Sequence, residues 1–377
     1  MQKAKNKIKI KIFNNTPFDM VFFLLVIILL GVGLIMVLSA SFPSAFNRQK
    51  DSYFYFKKQL GWAGLGLVAM YAISKIDYNI LRLAAIPAYI CSTLMLILVA
   101  VMGSTSGGAG RWLVIGPVRF QPSEITKLSV ILILALYVAK NYSKMKKFTY
   151  GLVIPGVIIG LAMLLVILQP HLSGTIIIFV IGISIIVVGG ANWKWLASLG
   201  SLAVIGGYFT ITTFNYMTSR IEIWRNPGSD PLGKGFQTLQ SLYAIGSGGL
   251  FGLGLGQSRQ KYHYIPEPQN DFIFAIVCEE LGFIGAMIII LLFLILCYRG
   301  FVIAWNAPDK FGALIVTGIT VQVAIQTLLN IAVVTNTIPV TGISLPFFSY
   351  GGTALTMLLA QMGIILSVSR QSRLRKE

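Results

Sequence analysis

Acidic side chains are scarce in this 377-residue chain: 12 Asp and Glu stand against 30 Lys and Arg, and charged residues make up only 11% of the total. A soluble domain carries about 25% charged residues, so a soluble globular fold of this size is excluded. Cysteine is nearly missing. Cys91, Cys278 and Cys297 are odd in number, lie in apolar runs and lack metal-ligand spacing, which argues against a disulfide scaffold or a thiolate cluster. His171 and His263 are the only histidines. No His/Cys zinc set and no Cys-His or Ser-His-Asp nucleophile set assembles from this inventory. The glycine-rich stretch 246–256 lacks the Gly-Lys-Ser/Thr ending and the βαβ setting of a nucleotide loop. Tight packing or flexibility of the loop is its expected role.

Hydrophobic residues, in contrast, reach 56%. They cluster in runs near or above twenty, the length that crosses about 30 Å of hydrocarbon. The runs lack period-2 alternation, which argues against an outer-membrane barrel. No small-residue cleavage site follows the first run, which reads as a retained helix. The expectation is an all-α polytopic membrane protein with ten spans: 20–38, 58–74, 82–102, 122–140, 150–168, 173–190, 194–213, 271–298, 311–334 and 350–368. One large loop, 214–270, separates spans seven and eight. The membrane domain then covers 20–368, between basic tails at 1–19 and 369–377.

The net charge of +18 does not indicate nucleic acid, because it is spread by membrane side. With ten spans, 18 of the 30 basic residues fall on the side of the termini and 11 opposite, with Lys127 inside a span. Short basic loops stay in the cytoplasm, so both termini and the 140–147 loop are expected inside, and 214–270 outside. The loops expected outside hold the Gly, Pro, aromatic and acidic residues, and the working face is expected there.

Four residues stand out as candidates for chemistry. Asp271 sits where the long polar loop meets the eighth span. An acid in a helix's first turn is stabilised by the dipole, which keeps the base ionised but weakens it. Glu279 and Glu280 lie deeper, about 80° and 180° around the helix from Asp271, so the three acids cannot share one site. At least one of them is expected to pair with a basic residue from another span. Pro122 suits the first turn of the fourth span, and Glu124 and Lys127 are three apart on one helical face, spaced to pair. Arg111 follows Gly107-Gly-Ala-Gly in the loop before that span, with Arg119 eight residues later; a guanidinium grips phosphate through a two-pronged contact. Together these features indicate a lipid-linked anionic substrate at one membrane face. Transporter, scaffold and glycosyl transferase all fit that reading.

Longer motifs narrow it. Gly-Arg-Trp-Leu (110–113), Phe-Gln-Pro-Ser-Glu-Ile-Thr-Lys (120–127), Asn-Pro-Gly-Ser-Asp-Pro-Leu-Gly-Lys-Gly-Phe-Gln (226–237), Gln-Ser-Leu-Tyr-Ala-Ile-Gly-Ser-Gly-Gly-Leu (240–250), the 266–282 stretch ending Glu-Glu-Leu-Gly, and Leu-Pro-Phe-Phe-Ser-Tyr-Gly-Gly-Thr (345–353) run through nearly the whole chain. In content and order they resemble the SEDS family (shape, elongation, division and sporulation). Residues 254–261 with Tyr-Ile-Pro-Glu-Pro-Gln resemble its FtsW and SpoVE division and sporulation branch more than the RodA elongation branch. The resemblance implies a ten-span peptidoglycan glycosyltransferase of the bacterial cytoplasmic membrane. It implies lipid II as substrate, a monofunctional class B penicillin-binding protein as partner, and other division or sporulation membrane proteins nearby. The family's essential aspartate matches Asp271, implying a general base. Its Arg, Glu and Lys match Arg111, Glu124 and Lys127, implying substrate binding at the pyrophosphate, with room for a divalent cation, magnesium or manganese, at Glu124. Two positions depart from the pattern. His171 stands where many members carry an aspartate, and Asn270 replaces a common threonine, where either residue is expected to cap the helix. A lipid II flippase and a scaffold for the penicillin-binding protein remain the rival readings.

Overall fold

The computed structural model describes residues 17–102, 111–115, 118–169, 171–213, 215–233, 235–262 and 265–372. The amino-terminal lysines, Arg373, Arg375 and Lys376, the Gly107–Gly110 stretch and His263 lie outside the described residues, as does the Arg119 side chain.

Twelve α-helices make up the described fold: α1 (Met20–Gln49), α2 (Phe54–Lys75), α3 (Leu81–Met102), α4 (Pro122–Asn141), α5 (Ile154–Ile167), α6 (Leu172–Val188), α7 (Trp193–Thr213), α8 (Asn215–Arg225), α9 (Phe236–Gly248), α10 (Ile273–Trp305), α11 (Lys310–Val334) and α12 (Gly352–Arg370). One antiparallel ribbon, β1 (Leu113–Ile115) with β2 (Val118–Phe120), precedes α4. Each expected span coincides with a helix. Seven segments are long and apolar enough to cross a bilayer: Met20–Gln49, Tyr78–Val101, Pro122–Lys144, Thr149–Ile167, Ile273–Trp305, Lys310–Val334 and Gly352–Arg370. The chain is a predominantly helical, multi-pass membrane protein. α6 is apolar but shorter, at 17 residues.

Local chemistry sets the helix starts. Asp19 caps α1 by accepting from Phe22 N at 2.9 Å, and Asp309 caps α11 by accepting from Gly312 N at 2.7 Å. Pro122 opens α4, where its missing N–H costs nothing. α4, α11 and α12 are largely buried, whereas α10 leaves Phe283, Met287, Leu291, Leu294 and Tyr298 exposed along one side. In a membrane protein such a face meets lipid or another helix rather than water.

The polar segment after α7 is folded rather than extended. It forms α8 and α9, then returns against α10 through the glycine-rich stretch. α10 is kinked at Gly282, whose φ of 68° lies in the left-handed region. There Leu253 N donates to Glu279 O at 2.9 Å and Gly254 N to Glu280 O at 3.0 Å, while Phe283 N donates to Gly249 O at 2.9 Å. A Cβ on Gly252 or Gly282 would run into the facing backbone. Close backbone approach, not phosphate binding, explains these glycines.

Two buried acids lock the same seam. Glu280 pairs with Lys261 Nζ at 2.9 Å, the two side chains being 0% and 3% exposed, and also accepts from Ser39 Oγ of α1 at 2.6 Å. Glu279 accepts from Ser258 Oγ at 2.5 Å and Arg259 N at 2.9 Å. The expected partner of one acid therefore comes from the polar segment, not from another span.

Candidate active site

Asp271 lies two residues before α10, in the turn that closes the polar segment. The helix has no acidic residue in its first turn, and its N-cap position is Phe272, without a side-chain cap. This corrects two expectations. Asp271 is not held by a first-turn dipole, and Asn270 does not cap the helix. Asn270 Nδ2 donates instead to Glu267 Oε2 at 2.9 Å, bracing the turn from outside.

The turn is fixed on two more sides. Tyr350 N donates to Gln269 O at 2.8 Å, and Asn330 Nδ2 of α11 donates to Asp271 O at 2.8 Å. The Asp271 side chain reaches the loop between α11 and α12, where a Cβ on Gly342 would lie 3.3 Å from its Oδ2. Asp271 keeps part of its surface open. Burial nevertheless raises its carboxyl from 3.8 to about 6. Arg111 and Arg220 oppose the rise, and Glu267 adds to it. The carboxylate is thus made more basic, the reverse of the dipole expectation, because loss of water outweighs the two cations.

Glu124 and Lys127 open α4 and pair at 2.8 Å, with side chains 15% and 3% exposed. Lys127 also faces Gln326 Oε1 of α11 at 3.5 Å, and Gln326 Nε2 donates to Ser344 O at 3.3 Å. Arg111 enters from the segment before β1, its Nε donating to Gln169 O at 3.1 Å. His171 stands between these groups, at the start of α6, with Nε2 at 3.3 Å from Gln121 Nε2. Burial, then the nearby Arg111 and Lys127, lower its pKa from 6.5 to about 3. A neutral imidazole therefore occupies position 171. It adds no negative charge beside Arg111 and Lys127.

Three cations and two carboxylates thus surround the loop 335–349: Arg111, Lys127 and Arg220, with Glu124 and Asp271. Arg220 of α8 reaches that loop by donating to Val340 O. Four of these residues are candidates in the sequence; Arg220 is not, since it lies in a polar stretch with no spacing or motif to single it out. Nor are Gln326 and Asn330. Their signal was present, as two polar residues one turn apart in an apolar span.

The described residues build no metal site of their own at Glu124. Its carboxylate is already engaged by an ammonium, and the described residues contain no group of three His, Cys, Asp or Glu able to ligate a metal. No step below is routed through one.

The chain as a whole is similar to known proteins in sequence and in fold. Residues 19–374 match the family model described as cell cycle protein, covering FtsW, RodA and SpoVE. Stage V sporulation protein E of Bacillus subtilis (strain 168) is 44% identical over 362 residues, 95% of this chain and 99% of that protein. A probable peptidoglycan glycosyltransferase FtsW of Trichlorobacter lovleyi is 36% identical over 361 residues, 95% of each. Among solved structures, a chain from work on coordinated polymerization and crosslinking by a peptidoglycan synthase complex is similar with a TM-score of 0.77 at 29% identity, covering 94% of this chain and 98% of that one. Rod shape determining protein RodA of Thermus thermophilus is similar with a TM-score of 0.71 at 27% identity, over 96% and 99%. Agreement over nearly the full length, in sequence and in fold, settles the family: the chain belongs to the FtsW, RodA and SpoVE cell cycle proteins.

Proposed function

We propose that the protein is a peptidoglycan glycosyltransferase that polymerises lipid II at the outer face of the bacterial cytoplasmic membrane, in division or sporulation. The printed names of its relatives support this reading, as does its likeness to a chain of a synthase complex. A monofunctional class B penicillin-binding protein is the proposed partner, with other division or sporulation membrane proteins around it. The observation that carries the reading is Asp271: one carboxylate, raised to about 6, beside the cations Arg111 and Arg220.

In the proposed reaction the acceptor's sugar 4-hydroxyl attacks the anomeric carbon of the lipid-linked donor sugar. A new glycosidic C–O bond forms as the C–O bond to the diphosphate breaks, and the α linkage becomes β. The hydroxyl proton passes to Asp271. One inversion needs one in-line attack and one base, unlike the paired carboxylates of glycoside hydrolysis. With a pKa of about 6, roughly nine-tenths of Asp271 is ionised at pH 7, yet it is a stronger base than an ordinary carboxylate. Arg111 and Lys127 stabilise charge growing on the departing diphosphate. Glu124 orients Lys127. Diphosphate is a good leaving group, so no second acid is required.

The topology that serves this chemistry has ten spans, adding α2, α6 and α7 to the seven apolar segments. Both termini and the 140–147 loop are cytoplasmic, and 214–270 is external. The basic tails 1–19 and 369–377 flank the membrane domain 20–368. The test is purified protein with labelled lipid II, with and without the penicillin-binding protein, read for glycan polymer. A flippase or a scaffold would make none.

A further inference from the structure

Asn330 is fully buried in α11, a costly place for an amide in a membrane span. Its Nδ2 donates twice, to Asp271 O at 2.8 Å and to Ile343 O at 2.6 Å. Its Oδ1 is buried and accepts no bond among the described residues. An amide kept for its donors alone, with its acceptor unsatisfied, is poor core design. Gln326 sits one turn earlier on the same face. Its amide spans from Ser344 to Lys127, and Ser344 is next to Ile343. The two side chains thus tie both halves of the site to one pair of loop residues. Asn330 holds the Asp271 half, and Gln326 holds the Glu124–Lys127 half.

We propose that Asn330 and Gln326 are positioning residues, a rigid spacer on α11 that sets Asp271 against Lys127 across the substrate. The proposal rests on the reading of Asp271 as base and deepens it. Four residues of helix fix the separation between the two anchor points at about 6 Å along the axis, whereas the loop 335–349 alone would not. Positioning of this kind has a large effect, since displacing a reacting group by about 1 Å can cost on the order of 10²-fold in rate.

The two residues predict different losses. Asn330→Leu removes both N–H donors while keeping the branching and the number of heavy atoms of the side chain. The turn bearing Asp271 loosens, and the carboxyl gains water among Arg111, Arg220 and Glu267, the charged groups that face it. Turnover should fall by about 10²-fold with little change in KM. The acid limb of the rate profile should move below its starting position near pH 6, toward the ordinary carboxylate range. Gln326→Leu should leave that limb in place and raise KM, because it frees Lys127 and not the base.

The experiment measures pH profiles of lipid II polymerisation for the wild type and both variants. Alongside, carboxyl infrared titration, read as a difference from Asp271→Asn, follows Asp271 without using activity. If Asn330→Leu does not fold, Asn330→Ser, which cannot bridge both carbonyls, takes its place. A downward shift in both the infrared titration and the rate limb supports the proposal. A shift in the infrared alone supports the spacer and overturns Asp271 as the base. An unmoved infrared titration in a folded Asn330 variant, or a limb that moves equally in Gln326→Leu, overturns the spacer.

Discussion

Replacing Asp271 with Asn removes one ionisable oxygen and leaves the shape of the side chain nearly unchanged. It should therefore make the protein more stable while stopping its chemistry. The folded carboxyl holds its proton up to about pH 6, against 3.8 for the free group. A raised carboxylate costs stability once it ionises: the penalty is absent below about pH 4, grows as pH rises through 6, and is complete above it. The shift corresponds to a ceiling of about 3 kcal/mol at roughly 1.4 kcal/mol per unit. Asp271 keeps some solvent contact, and discounting for screening leaves about 1–2 kcal/mol. The assay is the thermal midpoint of purified wild type and Asp271→Asn at pH 4 and pH 7.5. The variant should melt a few degrees higher at pH 7.5, and the gap should close at pH 4. A variant that is less stable by the same amount at both values would refute burial as the cause of the raised pKa. In that case the base has some other origin, or is not Asp271.

Three further outcomes follow from the same geometry. Lys127→Met strands the nearly buried Glu124 and should cost about 3–5 kcal/mol, while Glu124→Gln with Lys127→Met should regain much of that stability and still lack activity; a double variant polymerising lipid II at the normal rate would make the pair only structural. Lys261→Met should likewise destabilise by about 3–5 kcal/mol by leaving Glu280 unpaired, with Glu280→Gln as the compensating change, seen as recovery of the thermal midpoint. Single cysteines at positions 5, 144 and 240, in a background without native cysteines, should report topology to an impermeant thiol reagent in intact cells: position 240 labels, 5 and 144 do not, and the reverse pattern inverts the orientation.

Most of the helical framework was legible in the sequence, because lipid imposes one strong rule: a long apolar run must satisfy its own backbone. Ends were less legible. α1 continues to Gln49, well past the expected end at 38, because its last turns pack on protein, with Ser41, Ser44 and Ala45 buried. The pairing of Glu124 with Lys127 followed from helical spacing alone. The partner of Glu280 did not, since Lys261 is near in sequence but arrives through a folded loop whose path no periodicity reveals. The strength of Asp271 as a base was misjudged for a related reason. Its neighbour at the helix start is local and readable, whereas the burial that dominates comes from distant segments around Gly342 and Asn330. Asn330 and Gln326 carry no charge to mark them in the sequence, although a neutral amide in a span is nearly as demanding of a partner.

The most direct test of the central claim is glycan polymer formed from labelled lipid II by the purified protein with its penicillin-binding partner, comparing wild type with a correctly folded Asp271→Asn. Loss of the base should reduce polymer by about 10²- to 10⁴-fold, equivalent to about 3–5 kcal/mol of barrier. Polymerisation by Asp271→Asn near the wild-type rate would contradict the account, and absence of polymer from the wild type with its partner present would favour a flippase or a scaffold.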